Sequence, residues 1–487
     1  MEKDSKLQLK RGDFIDLTIE SLAFGGEGVG KIKNGDSSFA VFVEDVVPGD
    51  IVKVRIGARK RNFARGYVVD FVKKAPSRIV PRCKHFGSCG GCTLQFLSYA
   101  DQLKIKEQHV RDAMKRLGGF DESVVLSIIG CDKQWYYRNK MEFSFSRALP
   151  RDNAGVQAKD APLSGGQASA PTEKGELSLG LHVRRRHHDL IELTECFLLN
   201  DYVGELVSGV REFFRKMDDE GRMEGEGRPL TLTVREGKHS GEIMINLTYE
   251  NGEPDFLDEF MKALPFPKIT SIYFTRVNNT KGSPKSINEK LLWGRPVIRE
   301  ELRLPQDGKS LKFEISPQAF FQPNTGQAEI LYGEALKAAA LTGREIVYDL
   351  FCGTGTIGSF CAHAAKHVYG IEINESAVVN ARANAKLNGI ENIEFVCGDV
   401  GKRIPELAAK PDVIILDPPR GGLDEKALLL TAELKAARIV YVSCNPGTLA
   451  RDLKILTKTG YKLLRVQPVD MFPQTYHIEC VAVLERV

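Results

Sequence analysis

The sequence predicts a multidomain α/β chain: a doubly wound parallel sheet at the carboxyl-terminal end, preceded by a small β-barrel of OB type and a central α+β domain. Three observations predict it. From about residue 310 short apolar strands alternate with helical stretches. Residues 7–74 instead hold short alternating runs split by glycine-rich turns. A glycine-rich turn follows the first strand of the alternating part and opens a helix.

In chain order, the barrel comes first. Asp13-Phe14-Ile15-Asp16-Leu17 and Phe39-Ala40-Val41-Phe42-Val43 read as short strand runs, and Gly25-Gly26 and Gly28 to Gly30 break the chain between them. Pro48-Gly49-Asp50 precedes a third run, Ile51 to Ile56. The second half carries Lys53, Arg55, Arg59, Lys60, Arg61, Arg65, Lys73 and Lys74 against the acid Asp70, interleaved with Phe63 and Tyr67. Cations neutralise phosphates and aromatic faces stack on unpaired bases. A solvated strand face reads equally well.

The central domain is expected over residues 76–309. It mixes a helical stretch, Tyr99 to Leu117, with strands such as Lys140 to Arg147 and Gly241 to Tyr249. Residues 150–178 are rich in Gly, Ala, Ser, Pro and charge, which predicts a mobile insertion between two strands. His182-Val183-Arg184-Arg185-Arg186-His187-His188 reads as a phosphate contact or as a solvated hairpin turn. The domain opens on Cys83, Cys89 and Cys92, spaced C-x5-C-x2-C among Gly87, Gly90 and Gly91. Three thiolates need a fourth ligand, and Cys131 and Cys196 are the candidates.

Residues 310–487 hold five short apolar strands: Ile346 to Leu350, Val368 to Glu372, Ile393 to Val396, Val413 to Asp417 and Ile439 to Ser443. Such near-continuous apolar runs suit a parallel sheet covered on both faces. A ligand should bind at the carboxyl ends of these strands.

Length and composition bound the class. At 487 residues two to four domains are expected. A net charge of +4 is nearly neutral, so attraction to nucleic acid must come from local patches. No stretch approaches the roughly 20 apolar residues that cross a bilayer, and no membrane partner is expected. The protein is placed in the cytoplasm, as a monomer. In that reducing compartment ten cysteines read as metal or catalytic groups before disulfides.

Two constellations carry chemistry. Asp349-Leu350-Phe351-Cys352-Gly353-Thr354-Gly355 follows the first strand of the sheet, where glycines such as Gly353 let the backbone approach a ligand. Glu372 ends the second strand and can bind both ribose hydroxyls; Asp399, after the third, can accept from an adenine amino group. The glycine spacing is not that of the dinucleotide fingerprint. Asp417-Pro418-Pro419-Arg420 and Ser443-Cys444-Asn445-Pro446 end the fourth and fifth strands, so both face the same crevice. A cysteine at a strand end before an Asn-Pro turn can be exposed and reactive.

The D-x-F-x-G-x-G turn resembles motif I of class I S-adenosylmethionine-dependent methyltransferases. Phe320 to Asn324, Asp349 to Gly355, Asp417 to Arg420, Ser443 to Pro446 and Asp470 to Glu479 occur in the order and form of the RNA 5-methyluridine methyltransferases. The likeness covers nearly the whole chain, because the barrel resembles the TRAM domain of that family. It implies methyl transfer from S-adenosylmethionine to carbon 5 of a uracil in structured RNA, 23S ribosomal RNA in preference to transfer RNA. It implies Cys444 as nucleophile and Glu479 as base, with Gln322, Phe351, Glu372 and Asp417 at the donor. It also implies Cys196 as the fourth cysteine ligand and a [4Fe-4S] cluster in place of a structural zinc. Rival readings are a base N-methyltransferase and an inactive RNA-binding assembly factor. At Gln474 the family pattern usually has His, which leaves the role of that position open.

Overall fold

The computed structural model describes residues 9–34, 37–147, 175–223, 227–265, 268–279, 286–304 and 308–487. Residues 150–174 of the expected mobile insertion lie outside the described residues, and Leu177 and Ser178 already belong to the strand Leu177–Val183.

Six strands form the first sheet, in the order Phe14–Thr18, Ile51–Arg59, Phe63–Lys73, Ser37–Val43, Gly28–Asn34, Ser21–Leu22. Alternate residues point inward, and Leu17, Val41, Val43, Val52, Val54 and Ile56 make the core. A Cβ on Gly30 would lie 2.5 Å from the Thr18 carbonyl oxygen, so only glycine lets the strands come so close.

The central sheet has seven strands, ordered Ser286–Gly294, Ile269–Asn278, Ile243–Glu250, Arg228–Glu236, Lys140–Arg147, Leu177–Val183, Arg186–Glu192. Phe143, Leu232, Val234, Ile245 and Phe274 share one core with Phe214 of the helix Val203–Asp219 and Phe260 of the helix Leu257–Ala263.

The third sheet is ordered Ile393–Cys397, His367–Glu372, Ile346–Leu350, Val413–Leu416, Arg438–Ser443, Glu479–Arg486, Tyr461–Val469. The first five strands are parallel and the last two antiparallel to their neighbours. Its residues divide alternately between two cores. Val347, Val413, Ile415, Val440 and Val442 join one; Tyr348, Ile414, Leu416, Ile439 and Tyr441 join the other. Both faces are therefore covered, which is why the strands read as unbroken apolar runs. Among the described residues no helix is long and apolar enough to cross a membrane.

Two segments cross the expected boundary between the central and carboxyl-terminal parts. Val110, Met114 and Val125 join a core of the third sheet, and Leu126 N and Ile129 N donate at 2.9 Å to the carbonyls of Val466 and Pro468 on its edge strand. The stretch thereby caps an edge that would otherwise offer unpaired backbone groups. The hairpin Ile298–Arg303 with Ser310–Ile315 also sends Ile298, Leu302, Leu311 and Phe313 into a core of that sheet. Burial of apolar faces, not position in the chain, decides where such segments pack.

The arginine run forms the hairpin turn between the strands Leu177–Val183 and Arg186–Glu192, with Arg185 half exposed, and two of its cations are paired within the protein. Arg184 pairs with Asp45 at 2.7 Å, and Arg185 pairs with Glu27 at 2.8 Å and Glu44 at 2.6 Å. It docks the barrel onto the central sheet.

Candidate active site

The loops after Leu350, Glu372, Cys397, Leu416 and Ser443 gather at one edge of the parallel sheet. After Leu350 the chain turns sharply, with Phe351 at φ +66°, Gly353 at +54° and Gly355 at +72°. A Cβ on Gly355 would meet the Phe395 ring at 2.4 Å. The helix Thr356–Ala362 starts there, and Gly358 N donates to Asp349 Oδ2 at 2.8 Å. The other Asp349 oxygen is buried with no partner. Glu372 accepts from Gly353 N at 3.1 Å and from Asn374 N at 2.8 Å, which fixes its carboxylate against the turn. Thr354 Oγ1 donates to the Phe320 carbonyl at 3.3 Å, laying the loop with buried Gln322 alongside. Asp399 is exposed and accepts from Lys402 N at 3.2 Å as a helix cap. Among the described residues it shares no hydrogen bond with the other predicted site residues.

Asp417 leaves the next strand beside Asp349. Burial, then the charges of Asp417 and Glu372, push Asp349 up to about 7, and burial pushes Asp417 up to about 7 as well. Cys444 follows the strand Arg438–Ser443, with Asn445 capping the helix Pro446–Leu456. Ser443 lies opposite Cys480 in the antiparallel pair with Glu479–Arg486. One step further in that register sets Cys444 opposite Glu479. Burial pushes the Cys444 thiol up to about 11; Glu479 and Asp417 add to this and Arg420 opposes it. Glu479 is 5% exposed, and burial, then Asp417, raises it well above the ordinary carboxylate range, again against Arg420. A thiol, a proton-hungry carboxyl and a cation thus meet at the edge that carries the glycine turn.

Comparison with known proteins bears on this arrangement. A family model described as tRNA (Uracil-5-)-methyltransferase matches residues 406–487, and a TRAM domain model matches residues 8–69. A model described as RNA cap guanine-N2 methyltransferase matches residues 344–433, a span that holds neither Cys444 nor Glu479. An uncharacterized RNA methyltransferase of Clostridium acetobutylicum is 36% identical over 99% of this chain and 99% of its own. One of Halalkalibacterium halodurans is 36% identical over 98% of each chain.

The chain belongs to the RNA uracil-C5 methyltransferase family.

A solved structure points the same way. The tRNA (uracil-54, C5)-methyltransferase of Pyrococcus abyssi, in complex with S-adenosyl-L-homocysteine, has 27% identity and a TM-score of 0.68, over 96% of this chain and 100% of that one. The present chain is an RNA methyltransferase with a TRAM domain at its amino-terminal end.

The candidate site includes residues that the sequence motifs did not single out. Arg420 is the cation that bears on both Cys444 and Glu479. The quoted Asp-Pro-Pro-Arg run held it, but nothing in that run said which groups it would face. His477 is pushed down to about 4 by burial and by Arg420, Arg138 and Lys106, so it is neutral at pH 7. Tyr332, on the helix Thr325–Ala339, is buried beside Asp417, Glu479 and Asp349. No motif in the sequence singles it out.

A second group of thiols lies apart. Cys83, Cys89, Cys92 and Cys196 line one largely apolar cavity with Phe86, Trp135, Leu181 and Leu193. Burial pushes Cys83 up to about 11 and Cys89 and Cys92 up to about 12, and the thiols raise one another. Arg138 opposes this at Cys89, Cys92 and Cys196. Cys131 is elsewhere, its sulfur 3.7 Å from Asn324 Nδ2. Among the described residues no group of three or more His, Cys, Asp or Glu side chains is arranged to hold a single metal ion.

Proposed function

We propose that this enzyme methylates carbon 5 of a uridine in structured RNA through a covalent bond between Cys444 and carbon 6, with S-adenosylmethionine as donor. The observation that carries the reading is the pairing of Ser443 with Cys480, which brings Cys444 within the electrostatic reach of Glu479 at the edge holding the glycine turn. Gln322, Phe351, Gly353, Glu372 and Asp399 would hold the donor, Glu372 at the ribose and Asp399 at the adenine. The unpartnered oxygen of Asp349 and the buried Asp417 suit a cationic molecule. When bound, the donor supplies an electrophilic methyl group on a sulfonium.

Carbon 5 of uracil is too poor a nucleophile to take that methyl unaided. Cys444, as thiolate, adds to carbon 6, and the electron pair of the C5–C6 bond moves into an enolate ending on O4. Carbon 5 then bonds to the methyl carbon while the S–CH3 bond breaks and a neutral thioether leaves. Glu479, ionised, removes the carbon 5 proton; the C5–C6 double bond re-forms and the Cys444 thiolate departs. A buried carboxylate binds protons avidly, which suits that step.

The four clustered thiols fit a [4Fe-4S] group. They are soft ligands around one apolar cavity, three of them close in the chain and one remote, a spacing that a four-iron cluster tolerates. Cys83, Cys89, Cys92 and Cys196 would be its ligands, and its role would be to brace this part of the central domain. The division into a barrel (7–74), a central domain (76–309) and a catalytic domain (310–487) assigns the first two to RNA binding.

Large-subunit 23S ribosomal RNA is the favoured target, from the combination of barrel and clustered cysteines. Transfer RNA is the second reading, favoured by what the Pyrococcus abyssi neighbour acts on. Incubation with 5-fluorouridine RNA and the donor tests the mechanism: a stable protein–RNA adduct is expected, and it should vanish in Cys444→Ala. Persistence of the adduct in that variant would exclude Cys444. Mapping 5-methyluridine in RNA from a deletion strain separates the two targets.

A further inference from the structure

Gln474 stands in the middle of the loop that leads from the strand Tyr461–Val469 to Glu479. It is 3% exposed and holds φ +70°, a conformation that a non-glycine residue keeps only when its surroundings impose it. Here a second glutamine imposes it. Gln474 N donates to Gln102 Oε1 at 3.0 Å, and Gln102 Nε2 donates to Gln474 Oε1 at 3.0 Å. The Gln474 carbonyl accepts from Thr93 N at 2.9 Å and Leu94 N at 3.0 Å, the two residues after Cys92. Gln102, buried on the helix Tyr99–Ala113, also donates to the carbonyls of Leu94 and Leu97.

This buried pair joins three segments that are far apart in the chain: a helix, the turn after Cys92, and the loop ahead of Glu479. The loop transmits position onward. Thr475 Oγ1 donates to the Phe472 carbonyl at 2.9 Å and accepts from His477 N at 3.3 Å, two residues before Glu479. Cys444, in contrast, is carried by another strand and another turn.

We propose that Gln474 and Gln102 form a positioning clamp that sets Glu479 for removal of the carbon 5 proton. The proposal rests on the reading of Glu479 as base and Cys444 as nucleophile. Because the clamp ties down the loop ahead of Glu479 and shares no hydrogen bond with the strand and turn that carry Cys444, its loss slows elimination and leaves thiol addition and methyl transfer alone.

The test is a rapid-quench experiment on the full-length enzyme with unmodified RNA, following both the methylated covalent intermediate and released product. Gln474→Gly tolerates the positive φ while deleting the amide. Gln102→Met removes the other half and keeps the packed volume, so one variant backs the other if folding fails. Each should release product about a hundredfold more slowly, the cost of a misplacement near 1 Å. Each should form the adduct at the wild-type rate, and the double variant should be no slower than the slower single. Glu479→Gln is run alongside. If it releases product at the wild-type rate, the base reading falls and the clamp with it. If it traps the intermediate while both glutamine variants release product normally, the clamp alone is overturned. The same holds if those variants slow adduct formation as much as elimination.

Discussion

Five cysteines of this enzyme sit at two sites, and their neighbours differ in kind. Cys444 is half-buried at a strand end, facing two carboxyl groups and one arginine. Cys83, Cys89, Cys92 and Cys196 face mainly one another, in an apolar cavity with Arg138 as the nearby cation. All five thiols are raised by burial first. What separates them is the second neighbour. A carboxyl group beside a thiol can move protons while bonds to carbon form and break. Thiols beside thiols, with no carboxyl group to move protons, are suited instead to share a soft electrophile such as a metal.

The largest expected effect falls on the reactive side of that contrast. Cys444→Ala should lower methyl transfer by at least about 10⁴-fold, as loss of a nucleophile does elsewhere. Cys92→Ser, on the other side, should lose iron and sulfide from the anaerobically purified protein while methylation stays detectable. If both variants abolished methylation alike, the division of labour would be wrong.

Next comes the support beneath the loop ahead of Glu479. Lys106 and Asp470 are both fully buried and pair at 2.6 Å, with Lys106 also donating to the Phe472 carbonyl at 3.0 Å. Lys106→Met leaves a buried carboxylate unpaired and should cost about 3–5 kcal/mol of unfolding free energy. Lys106→Met with Asp470→Leu should regain most of it in a denaturant titration.

A smaller effect is expected at Arg420. Arg420→Met removes the cation that holds down Cys444 and Glu479, so adduct formation should slow by about tenfold to a hundredfold at pH 7. Its pH–rate profile should also move to higher pH. An unmoved profile would remove Arg420 from the site's electrostatics.

The mildest effect is on pH. Asp349 and Asp417 both titrate near 7, above their unfolded-chain values. Affinity for the cationic donor should therefore fall by about tenfold as pH drops from 8 to 6 and these groups take up protons. Stability without donor should run the other way. Carboxyls raised in the folded state favour folding fully below their ordinary range and lose that contribution as pH climbs from about 4 to about 7. The donor-free melting temperature should drop between about pH 4 and 7 and level off above, and saturating donor should narrow the drop. Calorimetry at three pH values reads both.

Much of the site was legible because its residues lie in short motifs at strand ends. Phe351, Gly353 and Glu372 belong to a strand–turn–helix whose glycine spacing is itself the geometry. What was not legible involves pairs remote in the chain. Lys106 and Asp470 are 364 positions apart, and Gln102 and Gln474 are 372 apart. Arg184 and Arg185 looked like free cations until Asp45, Glu27 and Glu44 were found against them. The stretch containing Val110 and Val125 lies early in the chain yet packs under the last sheet.

By itself the sequence determined the five parallel strands of the carboxyl-terminal sheet, the turn that glycines permit, and which residues are chemically able to act. Those follow from local periodicity and side-chain chemistry, which neighbours in the chain already express. Tertiary structure alone decided the register that pairs Ser443 with Cys480 and so brings Cys444 near Glu479, the cation they share, and the buried pairs that hold the loop ahead of Glu479. Such contacts form only when surfaces from distant parts of the chain are closed against each other, and no local pattern encodes which surfaces meet.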